Sequence, residues 1–137
     1  MLSDGVELDD ERSRIDLDAV HQYLSYKSYW AQGRSRHAVA QTVQDAARVV
    51  GMYAAGRQIG FARVISDGVS SSHLCDVYVL PEYRGRGLGV ELVREAVDSG
   101  PHARLAWTLA TKDAHELYRR FGFTTPDGHT MQRPSRP

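Results

Sequence analysis

Val77-Tyr78-Val79-Leu80-Pro81-Glu82-Tyr83-Arg84-Gly85-Arg86-Gly87-Leu88-Gly89 is the stretch around which the rest of the chain can be placed. Its first part is rich in branched and aromatic residues, which fit a pleated and buried surface, and Pro81 cannot continue a strand ladder. Beyond the glycines, Leu88, Leu92, Val93, Ala96 and Val97 recur at helical spacing, and Gly100-Pro101 can end that helix. A strand therefore runs through a tight glycine loop into a helix. Gly85, Gly87 and Gly89 lack Cβ atoms, so their N–H groups can approach a ligand closely, and the helix start adds partial positive charge. Arg84 and Arg86 supply further donors for anionic oxygens, and a diphosphate suits such a loop better than a neutral molecule does.

Outward from this loop the order of elements follows from periodicity. Upstream, Leu17, Val20, Tyr23 and Leu24 mark one helix, and Val39, Val43 and Ala46 mark a second that Ser35 can cap. Residues 49–54 and 58–65 read as two strands around a turn at Ala55-Gly56, and 74–80 reads as the next strand. Downstream, 104–110 reads as a strand. Ala114, Leu117, Tyr118 and Phe121 mark a last helix, with Asp113 suited to its start and Gly122 to its stop. Helices on a mixed sheet place the chain in the α/β or α+β class, with one domain over 1–137 and residues 1–12 and 134–137 expected to fray.

The chain has 137 residues, of which 42% are hydrophobic, enough for a core without covalent staples. Seventeen basic residues balance seventeen acidic ones, so no overall field draws the chain to nucleic acid or an anionic membrane. The single cysteine, Cys75, lies between Leu74 and Asp76 and reads as a small core residue rather than a nucleophile. No apolar leader and no membrane-spanning run is visible, which makes a cytoplasmic protein the expectation. The histidines lack paired ligand spacing, so no metal site is expected. A dinucleotide fingerprint requires G-x-G-x-x-G, whereas the spacing here is G-x-G-x-G; the Gly-Lys-Ser/Thr ending of a P-loop is missing as well.

Two blocks give the sequence a family likeness. Arg84 to Gly89 resembles the Arg/Gln-x-x-Gly-x-Gly/Ala pyrophosphate loop of the GCN5-related N-acetyltransferases (GNAT), preceded by that family's strand-plus-proline run, Val77 to Pro81. Residues 113–123, DAHELYRRFGF, resemble the family's Ala-x-x-Leu-Tyr-x-x-x-Gly-Phe segment, in the right order and at the expected distance. The likeness is close over about the last half of the chain; the first half agrees only in its order of elements. It implies a mixed, mostly antiparallel sheet splayed between its fourth and fifth strands and flanked by about four helices. It also implies acetyl-CoA as cosubstrate, held by Val77, Tyr78, Val79 and the loop from Arg84 to Gly89, with a small-molecule or peptide amine as acceptor.

The chemistry of that transfer assigns provisional roles. Tyr118 matches the family tyrosine that protonates the departing sulfur, although its helical spacing with Leu117 and Phe121 fits a core aromatic equally. The attacking amine must lose a proton, and Asp76 and His73 are candidate bases. In a regular strand, positions three apart point to opposite faces, so at most one of the two can face a cleft. An Asp76 that is merely salt-bridged is the alternative. Tyr29 and Trp30, between the first two helices, are candidates for the acceptor wall, and Arg34 and Arg36 could meet an acidic group on the acceptor. A non-catalytic acyl-CoA sensor would preserve the same loop. The short, proline-bounded stretch after Phe123 leaves a sheet edge that a second subunit could cover, so monomer and homodimer both stay open.

Overall fold

The computed structural model describes residues 5–112 and 114–124. The elements are β1 (Val6–Asp9), α1 (Leu17–Lys27), α2 (Arg36–Asp45), β2 (Arg48–Ala54), β3 (Arg57–Ser66), β4 (Ser71–Val79), α3 (Leu88–Val97), β5 (Ala106–Thr108) and α4 (His115–Arg119). They build one five-stranded sheet in the order β1-β2-β3-β4-β5, antiparallel except for the parallel β4–β5 pair. This is the mixed sheet with four helices that the sequence implies. Among the described residues no helix is long and apolar enough to cross a membrane.

Local chemistry sets most boundaries. Ser35 caps α2, its side chain accepting from the Ala38 N–H, and Asp16 does the same for α1 through Ala19. The β2–β3 hairpin turns at Ala55 and Gly56, whose φ values of 50° and 77° give the two left-handed residues of a type I′ turn. Gly122, at φ 85°, lies just past α4, and its N–H donates to the Arg119 carbonyl while Phe123 donates to that of Tyr118. Asp113, read as the start of that helix, lies outside the described residues; the Ala114 N–H donates to Thr111 Oγ1 at 3.1 Å.

The amino-terminal stretch departs from expectation. Residues 6–9, placed in a fraying segment, pair in full with β2 from Val6↔Ala54 to Asp9↔Gly51. Val6 is buried, and Glu7 and Asp9 both reach Arg14, at 2.9 and 3.0 Å, while that guanidinium lies over the Tyr53 ring. Asp10 then meets the buried Arg48, which also holds Glu95 of α3 at 2.7 Å. A four-residue strand with two half-buried acids is too short to announce itself by alternation, and its order comes from pairing with β2, far along the chain.

The sheet is covered on both faces. On one, α1 and α2 bury Val20, Leu24, Val39 and Val43 against Val49, Phe61 and Tyr78. On the other, α3 lays Leu92, Val93, Ala96 and Val97 on Val50, Ala62, Val64 and Leu74. Burying four such side chains stabilises the fold by roughly 1.5–3 kcal/mol for each of the larger ones. That packing fixes α3 on the sheet, and with it the direction in which its amino end points.

Two irregularities make room for a site. β5 pairs with β4 only over Ser71–His73, opposite Ala106–Thr108, so the last six residues of β4, Leu74 to Val79, have no β5 partner and the sheet opens there. Within that stretch the β3–β4 register slips: Phe61 faces Tyr78 but Arg63 faces Cys75, which leaves an extra residue on β4. The slip is a β-bulge at Asp76, whose φ is +55°.

Candidate active site

A cleft of about 530 Å³ lies where β4 and β5 part. Its floor is Val77, Tyr78 and Val79 at the end of β4. Arg84, Gly85, Gly87, Leu88 and Gly89 form one end, and Ala114, Leu117 and Tyr118 form a wall. The opposite wall is the end of α1 and the connection after it, including Tyr23, Lys27, Tyr29 and Trp30. The two sequence blocks, about thirty residues apart, thus line a single opening, and so do both residues assigned to the acceptor wall.

The loop has the geometry of an anion cradle. Gly85 and Gly87 sit at φ 82° and 76°, in the left-handed region that side chains disfavour, and Gly87 occupies the N-cap position of α3. A Cβ built on either would meet nothing within 4 Å, so open space rather than protein lies beyond them. The ten-residue helix α3 starts at this loop, and the N–H groups of a helix start suit a diphosphate. The arginines behave differently from each other. Arg84, expected to point donors at an anion, turns back: its Nη2 donates to the Tyr23 hydroxyl at 2.7 Å and its Nε to the Val79 carbonyl at 3.1 Å. It braces the loop against β4 and α1. Arg86 is exposed, stands 5.5 Å from the Tyr83 ring, and is free to reach a ligand from outside.

Tyr78 contributes to the floor through its main chain, for its ring is buried and stacked on Tyr23 at 3.9 Å. Burial pushes the Tyr78 phenol well above its ordinary value, so it stays protonated and neutral. Tyr118 is 9% exposed and meets Phe123 edge-on at 6.0 Å, yet it lines the cleft. It is a core aromatic and a cleft residue at once, and the two sequence-based alternatives are compatible.

Asp76 adopts the salt-bridged arrangement that the sequence left as an alternative. Its carboxylate, only 1% exposed, receives Trp30 Nε1 on Oδ1 at 2.9 Å, and Arg34 Nη1 and Arg63 Nε on Oδ2 at 2.8 and 2.9 Å. Burial acts to raise its pKa, but the Arg63 and Arg34 guanidiniums outweigh burial and hold the carboxyl below the usual range. A carboxylate so engaged is a poor proton acceptor. The bulge also removes the alternation on which the opposite-faces argument rested. His73 is not part of the cleft lining; its Nδ1 lies 2.8 Å from Thr108 Oγ1 at the closed end of the β4–β5 pair. Arg34 is spent on Asp76, and Arg36 pairs with exposed Asp18, so neither stands ready for an acidic acceptor. Cys75 is partly buried, with its thiol pushed up to about 11, chiefly by burial.

Sequence reasoning missed Arg63 and Tyr23. A signal existed for the first, since a guanidinium within the apolar run Phe61-Ala62-Arg63-Val64-Ile65 is costly to bury without an anion beside it. For Tyr23 there was none, because its helical spacing is that of an ordinary core residue.

The Asp76 cluster carries a pH signature. A depressed folded-state pKa contributes stability above the unfolded carboxyl value of about 3.9, and this is lost as pH falls through the lower folded value. The unfolding free-energy difference between the native chain and Asp76→Asn should hold steady from pH 7 to about pH 5 and shrink below about pH 4. Urea titrations across that range measure it; a difference that vanished near neutrality would contradict the ion-pair assignment.

Comparison with known proteins adds to this geometry. Residues 45–125 match the model of the acetyltransferase (GNAT) domain. The chain belongs to the GNAT acetyltransferase family. The GNAT-family protein xcc2953 of Xanthomonas campestris pv. campestris superposes with a TM-score of 0.87 at 37% identity, over 95% of this chain and 93% of that one. The GNAT protein SP0256 of Streptococcus pneumoniae TIGR4 shares the fold, with a TM-score of 0.75 at 22% identity over 96% and 99% of the two chains. Among curated proteins, FG08082 of Gibberella zeae, which carries an acetyltransferase name, is 38% identical over 68 residues, 47% of this chain and 38% of that protein. The matched part is thus less than half the length of that curated relative.

Proposed function

We propose that this GNAT chain transfers an acetyl group from acetyl-CoA to a primary amine of a small molecule or peptide. The observation that carries the reading is the shared cleft: a glycine loop at a helix start and Tyr118 line the same opening beside a strand end that pairs with β3 but has no β5 partner. The open space beyond Gly85 and Gly87 suits a diphosphate, and the edge of β4 that has no β5 partner suits an extended amide-bearing arm. Bound there, acetyl-CoA supplies an activated thioester carbonyl.

Each part of the chain then has a task. A main-chain N–H from Val77 to Val79 stabilises negative charge that develops on the carbonyl oxygen. The Tyr118 hydroxyl donates a proton to the departing thiolate. Tyr29 and Trp30 form the acceptor wall. With Asp76 ion-paired, the amine gives up its proton to solvent or to a water chain, not to a carboxylate at the bulge.

The test is thiol release by the purified chain with acetyl-CoA and a panel of primary amines, with calorimetry of CoA binding alongside. Turnover on at least one amine is expected. Tight CoA binding without turnover on any amine would instead favour an acyl-CoA sensor, and no CoA binding would end both readings.

A further inference from the structure

Asp76 sits at a bulge in a conformation that L residues rarely adopt, and short polar side chains such as Asp tolerate it best. What holds it there is its own carboxylate. One oxygen accepts from Arg63 on β3, across from the bulge, and from Arg34 in the connection between α1 and α2; the other accepts from the Trp30 indole in that same connection. The two elements joined in this way are the two that matter for transfer. The bulge immediately precedes Val77 and Val79 on the cleft floor, and Trp30 stands in the opposite wall.

Contacts continue from there around the rim. Trp30 packs edge-on against Tyr29 at 5.1 Å, and the Tyr29 hydroxyl accepts from the Lys112 N–H at 2.8 Å, two residues before Ala114 at the start of the helix that bears Tyr118. Arg34 and Arg63 are only 24% and 12% exposed, so loss of the anion leaves two shielded cations facing each other with nothing between.

Resting on the acetyl-transfer reading, we propose that Asp76 is a positioning residue: its clamp on Trp30, Arg34 and Arg63 sets the acceptor-side connection, residues 28–34, at a fixed distance and angle from the bulged strand that presents the thioester. The acceptor side then depends on Asp76, while the diphosphate loop, anchored by α3 and Arg84, does not. Misplacement of reacting groups by about 1 Å costs on the order of 100-fold in rate.

The experiment uses the full chain with Asp76→Asn, Trp30→Phe and Arg34→Lys. The chain has two tryptophans, so its indole N–H region holds two resonances, and Trp30→Phe identifies which is Trp30. Three results are expected: the Trp30 indole resonance moves in Asp76→Asn; kcat/KM for the best amine of the panel falls roughly 100-fold there and about tenfold in Trp30→Phe and Arg34→Lys; and acetyl-CoA affinity stays within about threefold of native. The inflection of the kcat/KM pH profile stays where it is in the native chain. An unmoved indole resonance, or native amine kinetics in both Trp30→Phe and Arg34→Lys, would overturn the clamp. So would an Asp76→Asn profile that loses its acidic limb while Trp30→Phe behaves as native, because that is the mark of a base. Should Asp76→Asn fail to fold, the other two variants decide by the same amine kinetics. Failure of the acetyl-CoA reading shows separately, as absent acetyl-CoA binding in the native chain.

Discussion

Gly87→Val is expected to weaken acetyl-CoA binding at least 100-fold, equivalent to about 2.7 kcal/mol. Two independent effects converge on this residue. At φ 76° a β-branched side chain is strained, so the loop must rearrange to relieve it. The added methyls also fill the open space in front of α3, where the diphosphate is proposed to lie. Strain alone is separable from loss of the ligand, because Gly68 in the β3–β4 turn has φ 78° and equally open surroundings but lies away from the cleft. Gly68→Val should therefore lower thermal stability by a similar amount and leave calorimetric affinity within about threefold of native. If Gly87→Val bound acetyl-CoA as the native chain does, the loop would not be the diphosphate site.

Tyr118→Phe should lower kcat by roughly 10²- to 10³-fold, the usual worth of a placed proton donor. The change deletes one oxygen and keeps the ring, so the contact with Phe123 and the packing of α4 on the sheet persist. Affinity for acetyl-CoA should change little, which separates loss of chemistry from loss of the cosubstrate site. Single-turnover thiol release with the best amine provides the measurement. Native rates in that variant would remove Tyr118 from the mechanism.

Much of this was legible in the sequence because it is local. A glycine at an N-cap, a serine that caps α2, a left-handed stop at Gly122 and an apolar stripe on α3 are each decided within a few residues, and all stand where the pattern puts them. The cleft followed for the same reason: both blocks that line it are continuous in sequence. What the sequence missed or left open has a different origin. β1 depends on its pairing with β2, from Val6↔Ala54 to Asp9↔Gly51, and the role of Asp76 depends on Arg63 and on a register slip against β3. Neither partner is near in sequence, and a bulge alters which way every following side chain points without leaving any mark in composition. Parity along β4 was a sound rule applied to a strand that does not obey it.

The early parting of β4 from β5 has a thermodynamic corollary. Main-chain groups along the open edge must be met by solvent or by an arriving partner, since a polar backbone left dry is costly. On the reading given above, the cosubstrate acts as a borrowed strand, and occupancy and folding draw on one free energy. Each tenfold rise in its concentration above the dissociation constant then adds about 1.4 kcal/mol to the resistance of the chain to unfolding, so the supply of acetyl donor in its surroundings governs how long each copy survives as well as how fast it works.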